Sequence, residues 1–418
     1  MNYLGIHTSN YIVDYSSYGD WASPITQTVE GSLGAGALSA TTPGKLISTG
    51  YYYYNAVLLA KISRILGKKS DAEVFTELSH RIRKAFNDTF LDKNANKYAM
   101  GSQASNSFAL FLGLVPQENE KGVFENLVKD IIETNAGHLT TGNLCTKYLL
   151  EVLSEAGRID IAYLLATQNT YPSWGYMILN GATTIWERWE YVTGYSMASH
   201  NHPMHGSIST WFYKMLGGIN VDPEGAGFRK IIIRPCIVDG LEYVESSVRT
   251  IRGLVESNWR KSCDGFIIDV RIPFNTEAWI YIPKTAGMQK DVKIFEGQTL
   301  LWECGAFTGR CQDISEQRQQ IPTSLGGGFP IEKAVSGEMQ SLTDVVQSPR
   351  ESGARRCNLR ELMPDSFRHK RLTKFECMES ETSIAFKVGS GYYCFKAIDM
   401  SWGNYAIAPG VFSKTPKQ

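Results

Sequence analysis

The sequence predicts a mainly α plus β protein, in which an α/α toroid of helical hairpins is followed by an antiparallel β-sandwich. Apolar residues recur with the helical period in successive segments from Tyr51 to about residue 217, and short connections separate these segments. After Gly217 and Gly218 the pattern changes to short β-rich runs, with Asp-Gly, Arg-Gly and Pro between them. Aromatic and polar residues gather between the helices, where a toroid has the rim of its funnel.

The first predicted helix begins at Tyr51 and ends at Leu66, with Gly67 as its C-cap. Ser70 and Glu73 form a capping box that opens a second helix, so the two helices should pair as an antiparallel hairpin. Residues 1–48 are rich in Gly, Ser and Thr and are predicted to form loops. The remaining helices are predicted at about residues 105–114, 119–135, 143–157, 158–168 and 207–217.

The second half of the chain is predicted to form the sandwich. Its strands are expected at Arg229–Pro235, Tyr243–Thr250, Leu254–Arg260, Gly265–Pro273, Ala278–Pro283, Ile384–Lys387 and Tyr392–Lys396. From about Cys304 to Ser380 the apolar content falls and Gly, Ser, Gln and Arg dominate, which predicts a disordered insertion. The predicted domains are therefore 1–218 (helical), 219–303 (β-sandwich), 304–380 (insertion) and 381–418 (closing strands and tail).

Composition narrows the classes of function. A chain of 418 residues is too long for one ordinary hydrophobic core. Its 42 basic and 42 acidic residues give no net charge, so nothing indicates a nucleic acid or membrane partner. No stretch is typical of a membrane span or a secretory signal, which makes the cytoplasm the default location. The eight Cys form no metal-binding pair, so we expect no metal and no cofactor; the oligomeric state is not predicted.

Residues 171–218 concentrate four of the nine Trp and three of the seven His. Within them, Glu187 and Arg188 lie between Trp186 and Trp189. Burial would raise the pKa of such a carboxyl and a guanidinium would lower it, which suits general acid or base catalysis near neutral pH. Aromatic walls beside a carboxylate also suit sugars. The alternative is a structural Glu187–Arg188 ion pair with both indoles in the core, and the residues alone do not decide.

Three other features have two interpretations each. His200, His202 and His205 have the spacing of metal ligands, but no Cys or Asp accompanies them, so we do not expect a metal there. Asp20 and Trp21, taken alone, indicate a turn Asp beside a packed Trp. His138 is explained by packing near a helix start as well as by a pocket role.

Several spaced blocks resemble the bacterial and fungal α-L-rhamnosidase family, which are inverting glycoside hydrolases with an (α/α)6 six-hairpin barrel and a C-terminal β-domain. Three consecutive blocks, Tyr171–Trp174, Thr183–Trp189 and Ser199–Gly206, carry the strongest likeness. The other blocks are Tyr18–Trp21, His138–Gly142, Gly227–Pro235 and Gly389–Tyr392. Together they cover about residues 15–300 and 384–396 in the order that the family has.

The resemblance implies hydrolysis of terminal α-L-rhamnosides, with Glu187 as the general base that activates a water. The residues that it implies for substrate binding are Asp20, Trp21, Trp174, Trp186, Trp189 and His202. Pro203 stands where the family usually has an aromatic residue after this His.

In the family, the block that carries the general acid precedes the Gly-Asp-Trp block. Nothing in Met1–Gly19 resembles that general-acid block. We therefore expect a truncated barrel without its first hairpins and with impaired turnover. Two alternatives remain open: a non-catalytic rhamnose-binding protein, and a barrel that acts on another deoxyhexose or on a uronic acid.

Overall fold

The computed structural model describes residues 2–15, 18–24, 38–193, 199–262, 265–284, 292–303, 306–308, 376–379 and 383–399. Helical hairpins come first along the chain and predominantly antiparallel sheets follow, so the predicted fold class is confirmed. None of the helices in these residues is both long and apolar enough to span a membrane.

Nine α-helices precede the β-rich part in the described residues. They are α1 (Asn2–Ile6), α2 (Gly44–Ile65), α3 (Lys69–Phe90), α4 (Gln103–Phe111), α5 (Gln117–Lys129), α6 (Thr146–Glu155), α7 (Ile159–Thr167), α8 (Trp174–Leu179) and α9 (Ile208–Trp211). One π turn extends α5 over Asp130–Thr134, another extends α9 over Phe212–Leu216, and a 3-10 turn at Met204–Ser207 precedes α9.

The hairpin of α2 and α3 forms where the period predicts it. Gly67 has a φ of +69°, and its N–H donates to Arg64 O (3.1 Å) while the Lys68 N–H donates to Ser63 O (2.9 Å). This left-handed cap reverses the chain, and α3 packs along α2.

Several local features of the helical part differ from the prediction. Helix α2 begins at Gly44, seven residues before the predicted start at Tyr51. The capping box is wrong, because the Ala72 N–H already bonds to Lys68 O and Ser70 lies inside the first turn of α3. Helix α1 lies in a segment predicted as loop. Helix α8 was not predicted, although the Ser173 hydroxyl accepts the N–H of Tyr176 (2.9 Å) as an N-cap.

In the part of the chain that the structure describes, the strands form two large sheets and two short ribbons. Their bounds are β1 (Thr8–Ser9), β2 (Ile12–Val13), β3 (Leu91–Asp92), β4 (Lys97–Tyr98), β5 (Ile219–Val221), β6 (Lys230–Ile233), β7 (Tyr243–Thr250), β8 (Gly253–Ser262), β9 (Gly265–Ile272), β10 (Glu277–Pro283), β11 (Val292–Glu296), β12 (Thr299–Glu303), β13 (Ala306–Phe307), β14 (Glu376–Glu379), β15 (Ser383–Val388) and β16 (Gly391–Asp399).

One sheet has the order β14-β15-β10-β6-β5 and the other has the order β13-β12-β11-β16-β9-β8-β7. Neighbouring strands are antiparallel except β6 and β10, which run parallel with Ile232 opposite Trp279. Phe386 of one sheet stacks on Phe395 of the other at 5.5 Å, and both are fully buried. The two sheets therefore pack face to face over one shared core.

The predicted insertion at 304–380 lies outside the described residues, apart from residues 306–308 and 376–379. Its disorder therefore stays a prediction. Strands β15 and β16 occupy the two segments where the sequence predicts that order returns.

The end of the helical part is bound directly to the sheets. The Trp259 indole N–H of β8 donates to Leu216 O (2.7 Å), the Arg234 N–H donates to Gly218 O (2.8 Å), and the Arg234 guanidinium pairs with Glu155 of α6 (2.7 Å). Trp259 is 1% exposed, so its hydrogen bond is shielded from water.

We expect Trp259→Phe to lower the free energy of unfolding by about 2 kcal/mol, because the buried Leu216 carbonyl loses its donor. Denaturant unfolding measures the change, and Trp279→Phe is the control because Trp279 is only half-buried. Equal losses in the two variants would contradict a special role for the bond to Leu216.

Candidate active site

Asp20 is a fully buried carboxylate that holds the turn before α6. Its Oδ2 accepts the N–H of Gly142 (2.6 Å), and its Oδ1 accepts the N–H groups of Leu144 and Cys145 (3.0 Å each). Burial raises the pKa of Asp20 to about 6, and the three N–H groups act in the opposite direction. Asp20 thus has no exposed surface in this structure, and its three hydrogen bonds hold the turn before α6.

The same turn fixes the backbone of Trp21. The Asn143 N–H donates to Trp21 O (2.7 Å), and a Cβ on Gly142 would lie 2.2 Å from that oxygen. Only glycine allows this approach. These contacts hold the Trp21 backbone against the turn before α6, and so they set the point from which the Trp21 indole extends.

Glu187 receives a hydrogen bond on each of its carboxylate oxygens. The Trp21 indole N–H donates to Oε1 (3.0 Å), and the Ser199 backbone N–H donates to Oε2 (3.0 Å). His202 Nδ1 lies 4.0 Å from Oε2, which is too long for a direct hydrogen bond. A carboxylate has about four lone-pair sites, so the donors among the described residues leave two acceptor sites for a water or a hydroxyl. Glu187 is 4% exposed, whereas Trp21 and His202 are half-buried.

Two hydrogen bonds between backbone segments bring these groups together. The Glu187 N–H donates to Ser199 O (2.8 Å), and the His202 N–H donates to Ile185 O (2.8 Å). The pairing places the Ser199 N–H and the His202 ring beside the Glu187 carboxylate. The role of Ser199 could not be predicted from its side chain, because the donor is its main chain.

Arg188 forms its ion pair with Glu190 and not with Glu187. The Tyr171 hydroxyl also approaches Glu190 (3.5 Å). The alternative of a structural Glu187–Arg188 pair is therefore wrong. The Glu187 carboxylate is held by neutral N–H donors, and no guanidinium of the described residues pairs with it.

Trp174, Trp186 and Trp189 are core residues. For Trp186 and Trp189, the sequence analysis gave a place in the core as the alternative to sugar binding. Each is at most 5% exposed. The Trp189 indole N–H donates to Thr141 O (2.8 Å), and the Trp174 indole N–H donates to His205 O (3.0 Å). Of the expected sugar-binding residues, Trp21 and His202 thus lie beside Glu187 and keep part of their surface exposed. The indoles of Trp174, Trp186 and Trp189 lie in the hydrophobic core of the helical part.

The three His of this region have different surroundings. His200 Nε2 bonds to Val192 O (2.9 Å), His202 faces Glu187, and the His205 ring lies on Trp189 at 4.0 Å. Burial lowers the pKa of His205 to about 3. Within the residues that the structure describes, no group of three or more His, Cys, Asp or Glu could hold a metal ion.

His138 and Asn143 complete the surroundings of this turn. His138 Nε2 bonds to Thr170 Oγ1 (2.7 Å), and its Nδ1 lies 3.1 Å from Asn135 O, which agrees with the packing interpretation. Asn143 is buried, and neither polar atom of its side chain has a hydrogen-bond partner among the described residues. The sequence analysis did not single out Asn143, since an Asn beside a Gly usually indicates only a turn.

Comparisons with known proteins point to one family. Residues 6–216 match the model of the bacterial α-L-rhamnosidase six-hairpin glycosidase domain, and residues 218–294 match that of the bacterial α-L-rhamnosidase C-terminal domain. A curated α-L-rhamnosidase of Alteromonas sp. (strain LOR) is 35% identical over 66% of this chain, and one of Streptomyces avermitilis is 34% identical over 68%. The matched regions span 30% and 26% of these two relatives.

Solved structures agree with the sequence comparisons. An α-L-rhamnosidase structure from Dictyoglumus thermophilum has a TM-score of 0.71 and 31% identity, and covers 95% of this chain and 36% of its own. The Streptomyces avermitilis α-L-rhamnosidase complexed with L-rhamnose has a TM-score of 0.67 and 25% identity, and covers 95% and 30%.

We expect Asp20→Asn to lower the free energy of unfolding by about 2 kcal/mol at neutral pH. The three backbone N–H groups now bond to two carboxylate oxygens, whereas the amide of Asn would offer them a single acceptor oxygen. The matched control is Asp92→Asn, since Asp92 also accepts two backbone N–H groups but lies in an exposed turn. Urea unfolding compares the variants. A loss no larger than that of the control would contradict the structural role of Asp20.

The buried His205 should make the protein less stable in acid. Its folded pKa lies below the ordinary value of 6.5, so between pH 6.5 and about 3 the unfolded chain binds a proton that the folded chain does not. Stability is fully present above this window and falls as the pH falls, by up to about 1.4 kcal/mol per pH unit. Unfolding measured across the window should show a shallower slope in His205→Phe than in the wild type, whereas the exposed control His80→Gln should keep the wild-type slope.

Proposed function

This chain belongs to the bacterial α-L-rhamnosidase family, and from that premise we propose that it hydrolyses terminal α-L-rhamnosides with inversion, with Glu187 as the general base. The observation that carries the proposal is the Glu187 carboxylate, oriented by N–H donors on both oxygens and bordered by the half-buried Trp21 and His202. Its free acceptor sites can take a proton from water. The chain spans only 30% and 26% of its curated relatives, so activity and substrate belong to this proposal.

In the proposed reaction, a Glu187 oxygen removes a proton from a water. The water oxygen attacks the anomeric carbon, and the glycosidic bond breaks on the opposite face of the sugar. A general acid donates a proton to the leaving oxygen, so the products are L-rhamnose and an alcohol. The 4.0 Å gap between His202 Nδ1 and Glu187 Oε2 has the width for an oxygen bonded to both.

We assign the proposed sugar contacts to Trp21 and His202. Both border the carboxylate, and an indole face with an imidazole nitrogen suits a deoxy sugar, which has an apolar face and several hydroxyls. The proposed role of the three buried indoles is to hold the segment that carries Glu187 in place; they are Trp174, Trp186 and Trp189. The proposed role of Asp20 is to position Trp21. A neutral sugar also agrees with a chain that has no net charge.

A second candidate is a rhamnose-binding protein without turnover. The observation in its favour concerns Asp20, the other carboxyl expected in the site, whose side chain is fully buried. Asp20 cannot donate the proton, because both of its oxygens face backbone N–H groups. Without proton donation, the rate falls by about 10² to 10⁴.

We also propose the functional division of the chain. Residues 1–218 form the catalytic or binding part, and residues 219–303 with the strands after residue 381 brace it. Trp259 and Arg234 carry the contacts that support bracing, since both reach from the sheets to the helical part.

We expect Glu187→Gln to abolish the release of phenol from phenyl α-L-rhamnoside while the binding of L-rhamnose stays measurable by calorimetry, because an amide cannot act as the base but keeps an acceptor oxygen. The matched control is Glu190→Gln, two residues away, which should retain hydrolysis. Binding without hydrolysis in the wild type would favour the second candidate. Unchanged turnover in Glu187→Gln would remove this residue from the mechanism, and no rhamnose binding in the wild type would refute both functions.

A further inference from the structure

Strand β7 forms a long edge at one end of the seven-stranded sheet. It pairs with β8 over eight residues, and within the described part of the chain no strand follows it on its other side. The other strands that end the two large sheets, β5, β13 and β14, have only two to four residues each. An open edge presents main-chain N–H and C=O groups in a row, so a further strand can pair with it.

The alternation along β7 identifies the groups that this edge presents. The Ser246 N–H points toward β8, where it donates to Asn258 Oδ1 (3.0 Å). Successive N–H groups of a strand point to opposite sides, so those of Glu245, Ser247 and Arg249 point to the open edge. The side chains of these three residues are exposed and lie on one face of the sheet. The edge therefore carries an acid, a serine and a base at alternate positions.

This order of charges is self-complementary. When two copies of β7 pair antiparallel about a two-fold axis at Ser247, Glu245 of each copy lies opposite Arg249 of the other. An axis at Glu245 or at Arg249 would oppose like charges, and an axis at Ser246 or Val248 would pair neither charge with its opposite. The chain has no net charge, so two copies do not repel each other overall.

An apolar groove follows the same edge. Its volume is about 840 Å³, and its lining includes Ser247, Val248 and Arg249 in succession. Consecutive side chains of a strand point to opposite faces, so a groove that touches all three runs along the edge of β7. Tyr213 and Val221 also line the groove and are 45% and 43% exposed. A strand added to β7 would therefore remove apolar surface from water as well as pair with the edge.

We propose that two copies of this chain associate through their β7 strands, which pair antiparallel about Ser247 and join the two seven-stranded sheets. Main-chain hydrogen bonds hold the two strands together, and two ion pairs between Glu245 and Arg249 set the register. Val244 and Val248 lie on the core side of β7, so in the added copy they lie next to the groove. The association does not depend on the proposed function.

The mass of the full chain in solution tests this inference. Sedimentation equilibrium between about 1 and about 100 µM should show a shift from 46.6 kDa toward twice that mass. Glu245→Arg and Arg249→Glu each oppose like charges in the symmetric pair, and each should weaken the association about tenfold or more. The matched control is Glu73→Arg, which reverses an exposed charge on α3 and should associate like the wild type.

A mixture of the two charge variants separates pairing from damage to the fold. Glu245→Arg has two basic residues on the edge and Arg249→Glu has two acidic ones, so every pair between the two variants again has opposite charges. We expect the mixture to associate as tightly as the wild type, although neither variant does so alone. A mixture that stays as dissociated as the separate variants would overturn the inference.

Ser247→Pro tests the main-chain bonds. The Ser247 N–H points to the open edge, so proline removes a donor there and keeps the bonds to β8. This variant should remain at 46.6 kDa with the circular dichroism spectrum of the wild type. A wild type that stays at 46.6 kDa over the whole range overturns the inference, and so does a dimer that persists unweakened in Ser247→Pro and in both charge variants. Phenol release from phenyl α-L-rhamnoside reports on the proposed function separately.

Discussion

The arrangement of the candidate site depends on one buried charge, the carboxylate of Asp20. A carboxylate without exposed surface is costly unless donors surround it, and here three backbone N–H groups more than 120 residues further along the chain supply that compensation. The bonds fix the N-terminal segment against the turn before α6. Because the next residue is Trp21, the same constraint delivers an indole N–H to Glu187.

The turn before α6 also holds the segment that carries Glu187. The Trp189 indole N–H donates to Thr141 O, and the backbone N–H of the next residue, Gly142, donates to Asp20 Oδ2. The segment that carries Glu187 and the segment that carries Trp21 are therefore attached to one short stretch of backbone. Two neutral donors then orient the carboxylate without neutralising it, which agrees with the role proposed for it.

Much of the fold could be predicted from local patterns. The period of α2 and α3, the left-handed Gly67 and the alternation of the later strands each depend on near neighbours in the chain, so the sequence displays them directly. The capping box at Ser70 failed because a main-chain bond from Ala72 to Lys68 had already started the helix. The parallel pair β6 and β10 could not be foreseen, since strand periodicity carries no information on the direction of a distant partner.

The sequence by itself determined the classes of element, their order and the cluster that contains Glu187, because hydrophobic period and residue type act over a few positions. Only the tertiary structure decided what each side chain does. It assigned Asp20 to the backbone and Trp174 to the core, and it left Trp21 beside the carboxylate. The physical reason is that burial and hydrogen-bond partners are set by segments far apart in the chain, and a charged or aromatic residue has the same letter in a core as in a binding site.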